Sequence, residues 1–267
     1  MQIITLIENL VYQQGLIAEH GLSFYIETGS RKILFDTGQS GNFMLNAKVL
    51  GIDISQIDTV VISHGHYDHM GGLYPFLQEN KKAKVYVKKE AFFKKFHGTE
   101  RFIGMPYDPL LLDGRIEYVT GMVEIDKAIY IMPEIPINNP LDNNFNRFWI
   151  NRAEGFYHDE FNDELYLAVT VNNELSIISS CSHRGITNII EAAFNHFNLP
   201  INRILGGFHI RNCGAGQLET LKLYLERFSV KSIGICHCTG VEQYAELFCH
   251  FSTKVFYNHT GYKIEID

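Results

Sequence analysis

No apolar run in the 267 residues approaches the ~18 needed to span a bilayer, so no membrane partner is expected. The start of the chain, Met1 to Leu6, lacks a basic region and soon meets Glu8, a pattern that argues against a secretory signal. Cysteine is scarce. The five cysteines, at 181, 213, 236, 238 and 249, are odd in number and irregularly spaced, which excludes a disulfide framework. Together these absences favour a reducing, cytoplasmic location. Positive charge is also short. A net charge of -7 gives the whole molecule no electrostatic match to nucleic acid, so nucleic acid is not an expected partner. No internal repeat and no low-complexity segment is present. Hydrophobic content of 46% and charged content of 20% are ordinary for a globular protein. A chain of this length buries ~75% of its unfolded surface and needs no staples.

The first third reads as strands joined by tight turns, at 3–7, 22–27 and 31–35. A helix at 43–50 is stopped by Gly51, a usual residue just past a helix end. Thr59 to Ser63 is a short β-branched run suited to a buried strand. A strand at 84–87 leads into Lys88 to Phe96, which reads as helical. Residues 100–160 hold Pro106, Pro109, Pro133, Pro136 and Pro140 and an Asn-rich stretch, and are expected to form a loop-rich insertion or lid. The runs 165–171 and 174–179 alternate as a hairpin with Asn172-Asn173 at its turn. Ile186, Ile189, Ile190, Ala193, Phe194 and Phe197 mark one helical face, and Leu218, Leu221, Leu225 and Phe228 another. A last helix is predicted from Thr239, where Thr239 to Glu242 matches a capping box. A strand-rich half followed by β-α alternation implies an α/β fold of sheets covered by helices, in one domain spanning 1–267.

The chemistry concentrates in Ser63-His64-Gly65-His66-Tyr67-Asp68-His69-Met70-Gly71-Gly72. Three imidazoles and one carboxylate within six residues, directly after a buried strand, suit zinc, iron, manganese or nickel. Gly65, Gly71 and Gly72 let the backbone bend so that neighbours aim at one point. A solitary histidine is ordinarily a surface residue or a satisfied core group, but four ligand-type residues at this spacing are not explained that way. A closed structural zinc site is excluded by the lack of thiolates in the cluster. His183 and His237 also follow predicted strands and precede predicted helices, the place where open α/β sheets put their sites. Cys236 and Cys238 flank His237. If that backbone is extended, side chains alternate and both cysteines point into the packing layer.

His-x-His-x-Asp-His after a buried strand resembles the signature of the metallo-β-lactamase superfamily, present in full at 64–69. The resemblance implies an αββα four-layer sandwich and a dinuclear metal centre, most simply of two zinc ions. It implies that Asp36 supports the metal loop, that His64, His66 and His183 hold one metal, and that Asp68, His69 and His237 hold the other. The segments at 18–23, 181–186, 206–209 and 237–240 are similar to one subgroup. It contains metal-dependent hydrolases and the dihydropterin–ribofuranosylaminobenzene 5′-phosphate synthases. One departure stands out. Where many dinuclear relatives place a bridging aspartate, this chain has Gly207-Phe208-His209, and a neutral imidazole has a single free lone pair.

A metal-dependent hydrolase is therefore expected, because a divalent metal lowers the pKa of a water it holds to ~7. Phosphoesters suit paired cations, so a small anionic or phosphorylated substrate is expected. Asp68, His209, His20 and Glu19 are the candidates for proton transfer or substrate contact, and Arg184 and His209 for substrate binding. The basic stretch Lys81, Lys82, Lys84, Lys88, Lys89, Lys94, Lys95 and Arg101 reads as a solvated face. Three alternatives stay open: a transferase or lyase acting on a pterin phosphate, a di-iron redox protein, and a non-catalytic metal-stabilised module.

Overall fold

The computed structural model describes residues 1–266. They form two compact units, one built from 1–120, 145–163 and 259–266, the other from 121–144 and 164–258. Among the described residues no helix is long and apolar enough to cross a membrane.

The first unit centres on a seven-stranded sheet in the order Lys263–Glu265, Gln2–Ile7, Ser23–Glu27, Lys32–Phe35, Thr59–Val61, Lys84–Val87 and Ile116–Tyr118. Its first four strands run antiparallel and the remaining pairings are parallel. Leu6, Tyr25, Leu34, Val60 and Val85 on this sheet pack with Phe43 and Ala47 of helix Asn42–Val49 and with Leu73, Phe76 and Leu77 of helix Leu73–Glu79. Ile3, Phe24, Ile26, Ile33, Phe35 and Val61 are equally buried, so the strands read as apolar runs rather than as an alternation. Thr59–Val61 is a parallel strand, and His64 lies just past its carboxyl end. Helix Asn42–Val49 ends as expected, with Gly51 at φ 77°.

The second unit is a seven-stranded sheet in the order Val255–Tyr257, Ser232–Ile235, Ile201–Gly206, Glu174–Ile178, Tyr166–Val171, Ile129–Met132 and Val123–Asp126. The predicted hairpin forms here, with Val171 opposite Glu174 and both Asn172 and Asn173 at positive φ. Helix Ile186–Phe197 buries Ile186, Ile189, Ile190 and Ala193 against the sheet, and Ala215–Arg227 buries Leu218, Leu221 and Leu225.

Two predicted elements differ. Lys88 to Phe96 is not a helix: a 3-10 turn at Lys89–Phe92 gives way to a strand, Lys94–His97, paired with Phe148–Arg152 in a four-stranded sheet of the first unit. Cross-strand pairing and burial of Lys95 outweigh local helix propensity there. The last helix begins at Val241 after Gly240, and Thr239 does not cap it. The Thr239 hydroxyl instead accepts the backbone N–H of Phe208 at 3.0 Å, a tertiary bond that competes with the local one. Residues 100–160, expected as a loop-rich insertion or lid, carry strands in all three sheets.

Candidate metal centre

In the first unit the histidine loop is organised by Asp36. It sits after strand Lys32–Phe35 at φ 58° and is fully buried. Oδ1 accepts the Ser63 backbone N–H at 2.7 Å, and Oδ2 accepts the Ser63 hydroxyl at 2.7 Å and faces His69 Nδ1 at 2.9 Å. Since the Ser63 hydroxyl proton goes to Asp36, the Ser63 oxygen is left to accept from His64 Nδ1, 2.9 Å away. Both rings thus carry their proton on Nδ1 and offer the Nε2 lone pair, the tautomer a metal needs. Burial, with His69 and His66 close by, holds His64 well below the usual imidazole range, so its neutral form dominates.

The remaining donors lie close. The His64 ring centroid is 4.7 Å from that of His66 and 4.4 Å from that of His69. Asp68 Oδ2 is 3.7 Å from His69 Nε2 and 3.2 Å from Nε2 of the exposed His20. Asp68 and His69 lie on the one-turn helix Tyr67–Met70. The glycines are required by space: a Cβ on Gly65 would lie 1.9 Å from the Ala91 carbonyl oxygen, and one on Gly71 would lie 2.2 Å from that of Gln39. Phe148 and Phe161 wall the cluster, 5.2 and 5.3 Å from the His66 ring.

Behind this loop lies a network that the sequence did not reveal. Asp163 Oδ2 accepts the Gly65 N–H at 2.7 Å, and its Oδ1 meets Lys95 Nζ at 2.9 Å. Lys95 Nζ also meets Asp159 Oδ2 at 2.6 Å. Lys95 is 1% exposed, which corrects its assignment to a solvated basic face; Lys81, Lys82, Lys84, Lys89 and Lys94 are exposed as expected. Glu19 has a different use from the proton transfer expected of it. Its carboxylate accepts from Gln39 N, Ser40 N, Ser40 Oγ and Asn42 Nδ2 at 2.7 to 3.1 Å, fixing the turn into helix Asn42–Val49.

In the second unit, His183 follows strand Glu174–Ile178 through Ser182 at φ 60°. The two oxygens of buried Glu164 accept the backbone N–H groups of His183 and Arg184, each at 2.7 Å. Arg184 Nε donates to the Ile135 carbonyl at 2.9 Å, which pins this side chain along the 135 loop. The His209 ring, on a residue at φ 48°, lies tilted with its centroid 4.2 Å from that of His183, and both sit with Cys181 in a group whose ligand atoms lie within 4.8 Å of one another. Cys236 is extended but His237 is at φ 53°, so the extended backbone assumed through residues 236–238 breaks at His237. Cys236 is buried as expected, but Cys238 does not simply pack: its sulphur accepts the His209 N–H at 3.3 Å. Ser182, His209, His237 and Asp36 each hold a left-handed backbone, which costs about 1–3 kcal/mol per residue and persists where the surroundings over-determine it.

The structure therefore gathers His20, His64, His66, Asp68 and His69 in one unit, and His183, His209 and His237 with Cys181 and Cys238 in the other. Imidazole, carboxylate and thiol donors, with the His64 and His69 tautomers already set, fit a divalent transition metal such as zinc. Lys95, Asp159, Asp163 and Glu164 carried no local sequence signal of these roles, because the roles depend on partners far along the chain.

A family profile for the metallo-beta-lactamase superfamily matches residues 16–155. A solved structure, Tm1679, described as a metal-dependent hydrolase of the beta-lactamase superfamily, is 32% identical, with a TM-score of 0.87, over 100% of this chain and 99% of that one. The 7,8-dihydropterin-6-methyl-4-(beta-D-ribofuranosyl)-aminobenzene-5′-phosphate synthase of Methanocaldococcus jannaschii is 28% identical over 90% of this chain and 88% of its own. A protein of Pyrococcus furiosus named a UPF0173 metal-dependent hydrolase is 36% identical over 34% of this chain and 40% of its own. With the α/β fold, the intact 64–69 motif and these matches together, the chain belongs to the metallo-β-lactamase superfamily.

Proposed function

We propose that this protein is a metal-dependent hydrolase of small esters, with phosphoesters the favoured class. The observation that supports the reading is the Asp36 network, which keeps the His64 and His69 protons on Nδ1 and leaves each Nε2 lone pair open. The proposed ligands are His64, His66, Asp68 and His69, joined by His183 and His237. By the family pattern, His64, His66 and His183 would hold one ion and Asp68, His69 and His237 the other. When bound, a divalent metal would supply Lewis acidity and lower the pKa of water to ~7. The protein's own groups orient and move protons around it. His20, exposed and 3.2 Å from Asp68, is placed to take or return a proton at its Nε2. His209, in the place of a bridging carboxylate, contacts substrate. Arg184 supplies positive charge for an anionic group.

The test is metal analysis on protein purified without a histidine tag, with turnover of a phosphodiester and a carboxylic ester measured on the same samples. Near two zinc ions per chain, falling in both His66→Ala and His237→Ala together with turnover, is expected. Full turnover in His66→Ala would remove the assignment. Arg184→Ala should weaken the phosphodiester more than the carboxylic ester. The identity to a relative named as a synthase motivates a second reading, in which the same residues organise a phosphorylated pterin precursor. A strict requirement for a pterin co-substrate, with no ester hydrolysis, would favour that reading.

A further inference from the structure

We propose that Cys181, His237 and Cys238 form a sulphur-bearing coordination site within the second unit, one that selects a thiophilic ion such as zinc over magnesium or manganese. The ligand atoms of these three residues lie within 4.8 Å of one another. One ion with bonds of about 2.0 to 2.3 Å can bridge such a span after small side-chain rotations. Two strand ends deliver them. Cys181 follows Glu174–Ile178, and His237 and Cys238 follow Ser232–Ile235. The left-handed backbone of His237 breaks the alternation that would send 237 and 238 to opposite sides.

The surroundings hold the Cys238 sulphur in place. A Cβ on Gly207 would lie 2.5 Å from it and 2.6 Å from the Ser180 carbonyl oxygen, so glycine leaves the space that the sulphur occupies. The His209 N–H points at the same sulphur at 3.3 Å, the kind of contact that supports a metal-bound thiolate. Thiolate is a soft ligand, so such a site discriminates by ligand type where an all-imidazole and carboxylate set would not. His237 offers one free lone pair, so the two cysteines would complete the ion that His237 holds in the set proposed above rather than add a third, and the site does not depend on ester hydrolysis.

The experiment uses the full chain, stripped with a chelator and titrated with cobalt(II) alone. Wild type should show a near-ultraviolet sulphur-to-cobalt charge-transfer band, weaker in Cys181→Ser and in Cys238→Ser, lost in the double variant and unchanged in Cys249→Ser. A second measurement avoids variants that fail to fold. Zinc should protect Cys181 and Cys238 of the wild type from alkylation, read by peptide mass spectrometry, while the exposed Cys249 reacts equally with and without zinc. Cobalt bound with visible ligand-field bands but no sulphur band and no protection would overturn this site and leave the histidine-based metal reading standing. Absence of cobalt binding at saturation would overturn both.

Discussion

Lys95→Met should destabilise the metal-free protein by about 3–5 kcal/mol, the usual cost of stranding one side of a buried ion pair. The substitution leaves Asp159 and Asp163 buried without the ammonium that meets them at 2.6 and 2.9 Å. For a chain of this size, ~2–4 °C per kcal/mol converts that cost to a fall in Tm of about 6–20 °C. The assay is urea denaturation in excess chelator, which separates stability from metal binding. Lys95→Met/Asp159→Asn/Asp163→Asn should recover most of the loss, because no unpaired charge remains and the amide oxygen introduced at position 163 can still accept from the Gly65 N–H. Burial lowers the Lys95 pKa, but Asp163 and then Asp159 outweigh it and hold it above the ordinary value. A cation raised in this way contributes stability that is fully present below its unfolded pKa and lost as pH rises through the folded one. The gap between wild type and Lys95→Met should therefore stay constant through neutral pH and close only above about pH 10.4. A single-variant loss under about 1 kcal/mol, the level of a surface pair, or a triple variant as unstable as the single, would refute the reasoning.

Three further outcomes follow from the same geometry. Asp36→Ala removes the acceptor that orients His69 and Ser63, and should weaken zinc binding about 10- to 100-fold in a chelator competition titration; unchanged affinity would deny Asp36 its orienting role. Gly65→Ala forces a Cβ toward the Ala91 carbonyl and should cost about 1–3 kcal/mol in denaturation, with reduced zinc content. Asn173→Ala, at φ 59° in the two-residue hairpin turn, places a residue that disfavours the left-handed region there and should cost about 1–2 kcal/mol in a thermal melt, with zinc content unchanged.

Much of this protein was legible along the chain because the relevant physics is local. The run Thr59-Val60-Val61 ends at His64, and the 64–69 motif compresses four donors into six residues, so a metal cluster is readable before any fold is known. The apolar faces of Ile186–Phe197 and Ala215–Arg227 and the Asn172-Asn173 turn also follow from neighbours a few residues apart. The tertiary structure decided what distance in sequence conceals. Lys95 is 64 and 68 residues from the carboxylates that neutralise it, so sequence alone left it among solvated lysines and placed a helix where a paired strand forms. Glu19 looked available for chemistry until a turn about 20 residues away claimed both its oxygens. Cys238 looked like packing until the left-handed backbone of His237 and the absent side chain of Gly207 gave its sulphur a place near Cys181 and His237. Local periodicity fixes which residues share a face, but hydrogen-bond partners and backbone strain are set by the closure of long loops, which leaves no periodic mark in the sequence.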